Sequence, residues 1–266
     1  MNELIISTFN NLGSVTATAK QLNISYRQVN KILVENKVQG IVRKRKKIEF
    51  NVDYFQNIDS EVKAYFVGFI HADGSVFTTK QGKTTLSIAI HKKDKEILEK
   101  LVIALDLPNF YIEQVPVKEQ VVFRTSVKRF VQNLVDVKSL TILDRIPKHL
   151  LPHFIRGVFD GDGTIYSKYA KGKYRYYYAG FIGYTSFMKF IKENVPIKFS
   201  LRNIASKGIS RIETYSKEDL LNFYDFMYTN STIYLNRKHA KFMDMKFIYS
   251  TPTTTRETTY MVEDIV

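Results

Sequence analysis

The chain has 266 residues, 44% of them apolar, enough to fill more than one packed core. It has no cysteine, which excludes disulfides and thiolate zinc sites, and no apolar run approaches the ~18 residues that a membrane-spanning helix needs. Forty Lys and Arg against 26 Asp and Glu leave a net charge of +14, which favours a polyanionic partner, usually nucleic acid, since phosphate contacts release counterions. An AT-rich genome would also enrich Lys, Asn, Ile and Tyr, so charge alone does not decide the partner.

The first residues, MNELIISTFNN, carry neither the basic region nor the apolar stretch of a signal peptide, so an intracellular location is expected: bacterial or phage-infected cytoplasm, or an organelle. Residues 1–39 read as three short helices, NELIISTFNNL, VTATAKQL and YRQVNKILVENK. The polar break NIS separates the second from the third, with Ser25 placed to cap the latter. Val15, Ala19, Leu22, Val29, Ile32 and Leu33 would face one another across that turn. The stretch GSVTATAKQLNISYRQVNKIL resembles the helix-turn-helix family of DNA-binding units, against the plainer reading of a small helical hairpin. That resemblance implies that the third helix enters the major groove, with Ser25, Tyr26, Arg27, Gln28, Asn30 and Lys31 at the DNA.

Residues 40–57 read as a basic linker, and Arg43, Lys44, Arg45, Lys46 and Lys47 form an unbroken positive run. Such runs are usually solvated; between two candidate DNA-binding regions this one is expected to strap along phosphates.

Residues 58–249 read as one plan written twice, divided at 149/150, before a Thr-rich tail at 250–266. AYFVGFIHADGSVF at 64–77 is echoed by HFIRGVFDGDGTIY at 153–166, which aligns Gly68 with Gly157, Asp73 with Asp162 and Gly74 with Gly163. β-rich text, an intermediate helix, more β-rich text and a closing amphipathic helix follow each copy, which suggests two subdomains related by a pseudo-two-fold axis. Asp59 or Ser60 is expected to cap the first helix, and Pro152 suits the opening turn of the second. Gly74 and Gly163 suit a left-handed residue that ends a helix.

Gly68 and Gly157 lie mid-helix, where glycine costs about 1 kcal/mol relative to alanine. Incurring that cost twice makes sense if the two helices cross with their backbones in contact. The crossing would bring Asp73 and Asp162 together, each at the negative end of a helix dipole. Two such carboxylates repel unless divalent cations lie between them, and oxygen ligands select hard ions, Mg2+ above all. A calcium loop starting at Asp160 fails, because the sixth position is Ile165 and the twelfth is Lys171. A glycosidase carboxylate pair fits poorly with the basic surroundings, and a purely structural glycine-containing helix pair stays open.

FVGFIHADG and IRGVFDGDG resemble the two signature motifs of single-chain LAGLIDADG homing endonucleases, over residues 58–249. The resemblance implies an α+β fold of two pseudo-symmetric αββαββα subdomains with saddle-shaped antiparallel sheets, here preceded by a small all-α helix-turn-helix domain. It implies that Asp73 and Asp162 hold metal, together with the carbonyls of Ala72 and Gly161. The motif's earlier acid is Asp160 in the second copy but His71 in the first, a departure at a position that does not bind metal in the family. By position in RTSVKRF and ETYSKED, the family's basic residues near the centre would be Lys128 and Lys217, unless these are ordinary surface lysines.

The implied reaction is Mg2+-dependent hydrolysis of both strands of a long, asymmetric duplex target by a monomer. Each sheet would lie in the major groove, with Thr78, Lys80, Lys83 and Arg124 in one half. Lys168, Lys171, Lys173, Arg175, Tyr176, Arg202, Lys207 and Arg211 would serve the other, and Arg237, Lys238 and Lys241 would touch phosphates. Two other classes stay open: a transcriptional regulator on a catalytically silent version of the fold, and an RNA maturase. Silent versions commonly lose the metal acids; both are present here. With no splicing residues evident, an intron-encoded or free-standing gene is expected over an intein.

Overall fold

The computed structural model describes residues 1–36, 38, 51–80, 82–108, 111–170, 174–204 and 208–250. The chain divides into two compact units, Met1–Glu49 and Phe50–Val266.

The first unit holds helices α1 (Asn2–Leu12), α2 (Val15–Leu22) and α3 (Tyr26–Glu35). Local chemistry sets their ends. The Ser14 hydroxyl accepts from the Ala17 amide and that of Ser25 from the Gln28 amide at 3.2 Å, each satisfying a free donor of a first turn. Asn23, left-handed at φ 51°, closes α2 and turns the chain into α3. Val29 and Leu33 of α3 meet Ala19 of α2 and Ile5 and Phe9 of α1, flanked by Val15, Leu22 and Ile32. The expected apolar seam is present, and α1 supplies two further core residues.

The second unit repeats one order. The first pass runs α4 (Glu61–Asp73), β1 (Gly74–Thr78), β2 (Thr84–His91), α5 (Lys95–Ala104), β3 (Ile112–Val115), β4 (Gln120–Thr125) and α6 (Lys128–Gln132). The second runs α7 (Leu151–Asp162), β5 (Thr164–Ala170), β6 (Tyr174–Tyr184), α8 (Thr185–Asn194), β7 (Ser200–Asn203), β8 (Ile209–Thr214) and α9 (Lys217–Tyr228). A further helix, α10 (Asn236–Ser250), falls outside the duplicated plan. The two antiparallel sheets share one topology, β1-β2-β4-β3 and β5-β6-β8-β7.

Strand alternation gives each sheet a helix-covered face and an open one. On β2, Leu86, Ile88 and Ile90 are buried and Ala89 and His91 exposed; on β6, Tyr177, Ala179 and Phe181 are buried and Tyr176, Ile182 and Tyr184 exposed. Under the second sheet Phe159, Phe181, Phe199, Phe223 and Phe242 pack largely edge to face.

α4 and α7 pack side by side at the centre, and their glycines explain how closely. A Cβ on Gly68 would run into the carbonyl of Phe154, and one on Gly157 into the carbonyl of Tyr65. Ser60 caps α4, accepting from the Lys63 amide at 3.4 Å, while Asp59 pairs with the Lys63 ammonium; Pro152 lies in the first turn of α7. The helix-ending glycines differ from expectation. Gly74 and Gly163 have φ near −73° and −72°, which any residue adopts. Glycine is needed there because a Cβ would strike Ile70 or Phe159 of the preceding turn as the chain swings into its strand.

Candidate active site

Because the helices cross at their glycines, their C-terminal ends converge and carry Asp73 and Asp162 with them. An ideal Cβ on Gly161 would lie 3.1 Å from Asp73 Oδ2 and collide with Ala72 Cβ, so the two motif ends are in direct contact. Burial, reinforced by the charge of Asp162, pushes the Asp73 carboxyl up to about 6, and the ammoniums of Lys238 and Lys138 only partly offset this. Asp162 is exposed and borders a 380 Å³ cavity that His71, Lys138, Phe187 and Tyr184 also line.

Two lysines reach this centre. Lys138 donates to the carbonyls of His71 and Ala72, at 2.6 Å for Ala72. Lys238 is 5% exposed and donates to the carbonyls of Phe159 and Gly163 at 2.6 Å and of Gly161 at 3.3 Å. Each ammonium thus stands on the negative end of its helix dipole. Burial pulls Lys238 down to about 8, against the attraction of Asp160, and lowers Lys138.

The basic pair matched by sequence position is placed differently. Lys217, first residue of α9, donates to the carbonyl of Tyr249 at 2.7 Å. Lys128 opens α6, and the largest charge effects on Asp73 come from Asp162, Lys238 and Lys138. No local signal marks Lys138, and the sequence reading makes Lys238 a phosphate contact and not a neighbour of the acids: the settings VDVKSL and LNRKHA share no motif and lie far along the chain from the acids they approach.

Hydrogen bonds hold the lysine-bearing segments. Asp160, fully buried, accepts from the Leu235 amide at 2.7 Å and from the Tyr65 hydroxyl at 2.8 Å on one oxygen; burial raises its carboxyl to about 6. Glu61, at the start of α4, accepts from the amides of Thr232 and Ile233 and from buried Arg156, at 2.6 Å for the guanidinium. Arg156 also donates to the carbonyls of Ile233 and Met227. On the other side His71 Nδ1 donates to the carbonyl of Val137 at 2.6 Å, and Arg145 ties Asn133, Asp136 and Phe55 together.

Among the described residues there is no group of three or more His, Asp or Glu side chains able to hold a metal. A cation here would rest on two carboxylates, nearby backbone carbonyls, water and a substrate phosphate, the partial protein shell that Mg2+ commonly accepts. The converging acids are hard oxygen donors that fit such an ion, while the carbonyls of Ala72 and Gly161, each already accepting from an ammonium, have a second lone pair to offer it.

The candidate DNA residues separate by face. Lys168 stands over the rings of Tyr166 and Tyr178 on the open face of the second sheet, where Tyr176 is its register partner. Arg211 lies opposite Ile182 and Arg202 on that same face. Arg124 shares the open face of the first sheet with Glu113, paired at 3.2 Å, while Thr78, Lys80 and Lys83 are exposed around the β1–β2 connection. Arg175 is a correction: it has the opposite parity, bonds Ser167 and pairs with Asp244 of α10 at 3.1 Å, so it fastens a helix to the sheet. Arg237 is bound to Asp94, Lys238 is internal, and Lys241 approaches the Ile165 carbonyl, so none of the three is a free phosphate contact. In the first unit Ser25, Tyr26, Arg27, Gln28 and Lys31 are exposed on α3 and its cap, with Asn30 half-buried. Arg43 to Lys47, Lys171, Lys173 and Lys207 lie outside the described residues.

No family model and no curated protein matches the chain. Solved structures do. I-SmaMI bound to an uncleavable DNA with a TTGT central four aligns with a TM-score of 0.51 at 15% identity, over 73% of this chain and 90% of that one. The I-LtrWI LAGLIDADG homing endonuclease bound to target DNA aligns at 0.50 and 14%, over 75% and 90%. The LAGLIDADG meganuclease I-AabMI bound to uncleaved DNA aligns at 0.50 and 13%, over 70% and 89%. At such identities the likeness is one of fold: residues of this chain build the LAGLIDADG endonuclease architecture. No helix among the described residues is long and apolar enough to cross a membrane.

Proposed function

We propose that the protein is a site-specific endonuclease that hydrolyses both strands of a long, asymmetric DNA duplex, acting as a monomer inside the cell. The observation that carries this reading is the contact between two acid-ended helices, with Asp73 and Asp162 meeting where Lys138 and Lys238 also arrive. An arrangement that repels itself, buries a carboxyl at raised pKa and sets ammonium groups alongside is poor as scaffolding and sensible as a phosphodiesterase centre.

Asp73, Asp162 and the carbonyls of Ala72 and Gly161 would hold divalent cations, Mg2+ by their chemistry. Bound there, Mg2+ supplies an activated water, charge stabilisation at the phosphate and support for the leaving oxygen. Lys138 and Lys238 place positive charge beside the position where the phosphate gains negative charge, the role that position in the duplicated plan suggests for Lys128 and Lys217. The open sheet faces offer Lys168, Tyr176, Arg202 and Arg211 in one half and Thr78, Lys80, Lys83 and Arg124 in the other. The capped α3 of the first unit, with Arg27, Gln28 and Lys31 exposed, would read a further segment as a helix-turn-helix. The same unit favours a second reading, a regulator that binds DNA without cutting it.

A randomised duplex library incubated with the protein in Mg2+, then sequenced at its broken ends, separates the two readings. Breaks at one long motif that disappear with Asp162→Asn support the nuclease; enrichment of a motif in the bound fraction without breaks favours the regulator.

A further inference from the structure

Resting on the nuclease reading, we propose that His71 and Asp160 are matched positioning residues, each fastening the backbone segment that delivers one active-centre lysine. Both stand two residues before a motif acid, one in each copy. His71 Nδ1 donates to the carbonyl of Val137 at 2.6 Å, and the next residue is Lys138, whose ammonium returns to the carbonyl of Ala72 at 2.6 Å. Asp160 accepts from the amide of Leu235 at 2.7 Å, and three residues on Lys238 returns to the carbonyls of Phe159 and Gly163. Each helix end is therefore tied twice to its lysine segment, once by the motif side chain and once by the ammonium.

This accounts for the departure in the first motif. The two segments present opposite backbone polarity to equivalent positions. Val137 offers a carbonyl, which needs a donor; Leu235 offers an amide hydrogen, which needs an acceptor. A neutral imidazole with hydrogen on Nδ1 supplies the donor, and a carboxylate supplies the acceptor. An aspartate at position 71 would set its oxygen against the oxygen of Val137. The departure is thus a complementary choice, which makes a specific and counter-intuitive demand: copying the second motif's aspartate into the first should harm the site.

The test uses the full chain and a duplex carrying the motif recovered from the end-sequencing selection, with each strand labelled separately. His71→Phe keeps an aromatic ring against Phe187, 4.4 Å away between centroids, and removes both ring nitrogens, the Nδ1 donor included. His71→Asn keeps an amide donor near the place of Nδ1. His71→Phe and His71→Asp should each slow the nicking of one strand by about tenfold or more, the same strand slowed by Lys138→Ala, with duplex affinity unchanged. His71→Asn should recover to within a few-fold of wild type. Because His71 acts through Lys138, adding His71→Phe to Lys138→Ala should cost almost nothing more, the coupling expected of residues that act as a unit.

Effects that multiply in the double variant, that fall equally on both strands, or that spare His71→Asp overturn the positioning role while leaving the nuclease reading intact. Should His71→Phe fail to fold, the paired His71→Asn and His71→Asp variants carry the same comparison. A wild-type chain that nicks no strand overturns the nuclease reading, and the positioning role falls with it.

Discussion

Asp73 holds its proton to about pH 6 in the folded chain, against 3.8 for an ordinary aspartate, because it is half-buried beside Asp162. The folded state therefore binds more protons than the unfolded state between those values, so stability falls as pH rises through that window and the cost persists at neutral pH. Asp73→Asn removes the buried charge. It should stabilise the protein by about 1–3 kcal/mol at pH 7.5 in EDTA, measured by urea unfolding, while abolishing DNA cutting. The same shift makes proton and cation compete for this carboxyl: the Mg2+ concentration needed for half-maximal cutting should rise as pH falls below about 6. Sequence made the acids legible because the motif occurs twice and each copy tolerates an unfavourable mid-helix glycine. The lysines were not legible. Lys128 and Lys217 match each other by position in the duplicated plan, yet Lys217 serves the Tyr249 carbonyl, and the ammoniums at the centre reach it by three-dimensional return of later segments.

At the scale of elements, the crossing of α4 and α7 determines whether a site exists at all. Gly157→Ala would drive a methyl group into the Tyr65 carbonyl, and overpacking of this kind costs about 1–3 kcal/mol. The expected result is a lower unfolding midpoint and cutting reduced beyond what stability explains, since the acids separate when the helices do. The Glu61–Arg156 pair is the second clamp across that crossing, with Arg156 wholly buried and Glu61 also holding two amides of the segment that leads to Lys238. Glu61→Gln leaves a buried guanidinium without its ion-pair partner and should cost about 3–5 kcal/mol by denaturant unfolding. The order of elements in both passes could be read from apolar periodicity and the repeated motif. The extended conformation of Gly74 and Gly163 could not, because a glycine required by a neighbouring side chain looks the same in sequence as one required by its own φ. Nor could the inward orientation of Arg175, since α10, which supplies its partner Asp244, does not appear in the duplicated plan.

For the whole molecule, the proposed function together with a net charge of +14 and two compact units predicts a DNA affinity that is distributed and salt-sensitive. Arg27→Ala with Lys31→Ala, both exposed on α3, should weaken binding and reduce the slope of log affinity against log salt by about 1 for each phosphate these side chains neutralise. Strand cutting at saturating protein should stay within a few-fold, because the proposed role of the first unit is reading and not chemistry. An unchanged slope would mean that α3 does not touch the duplex.

The proposed function requires that Asp73 and Asp162 together form one metal-dependent cutting centre. The most direct measurement is single-turnover cutting of the selected duplex in Mg2+ by the wild type, Asp73→Asn and Asp162→Asn, with duplex affinity measured in parallel in EDTA. The expected result is a drop in cutting rate of about a thousandfold or more for each variant, with affinity held within a few-fold of wild type. Cutting that survives either substitution at near wild-type rate, or that proceeds equally well in EDTA, would contradict it.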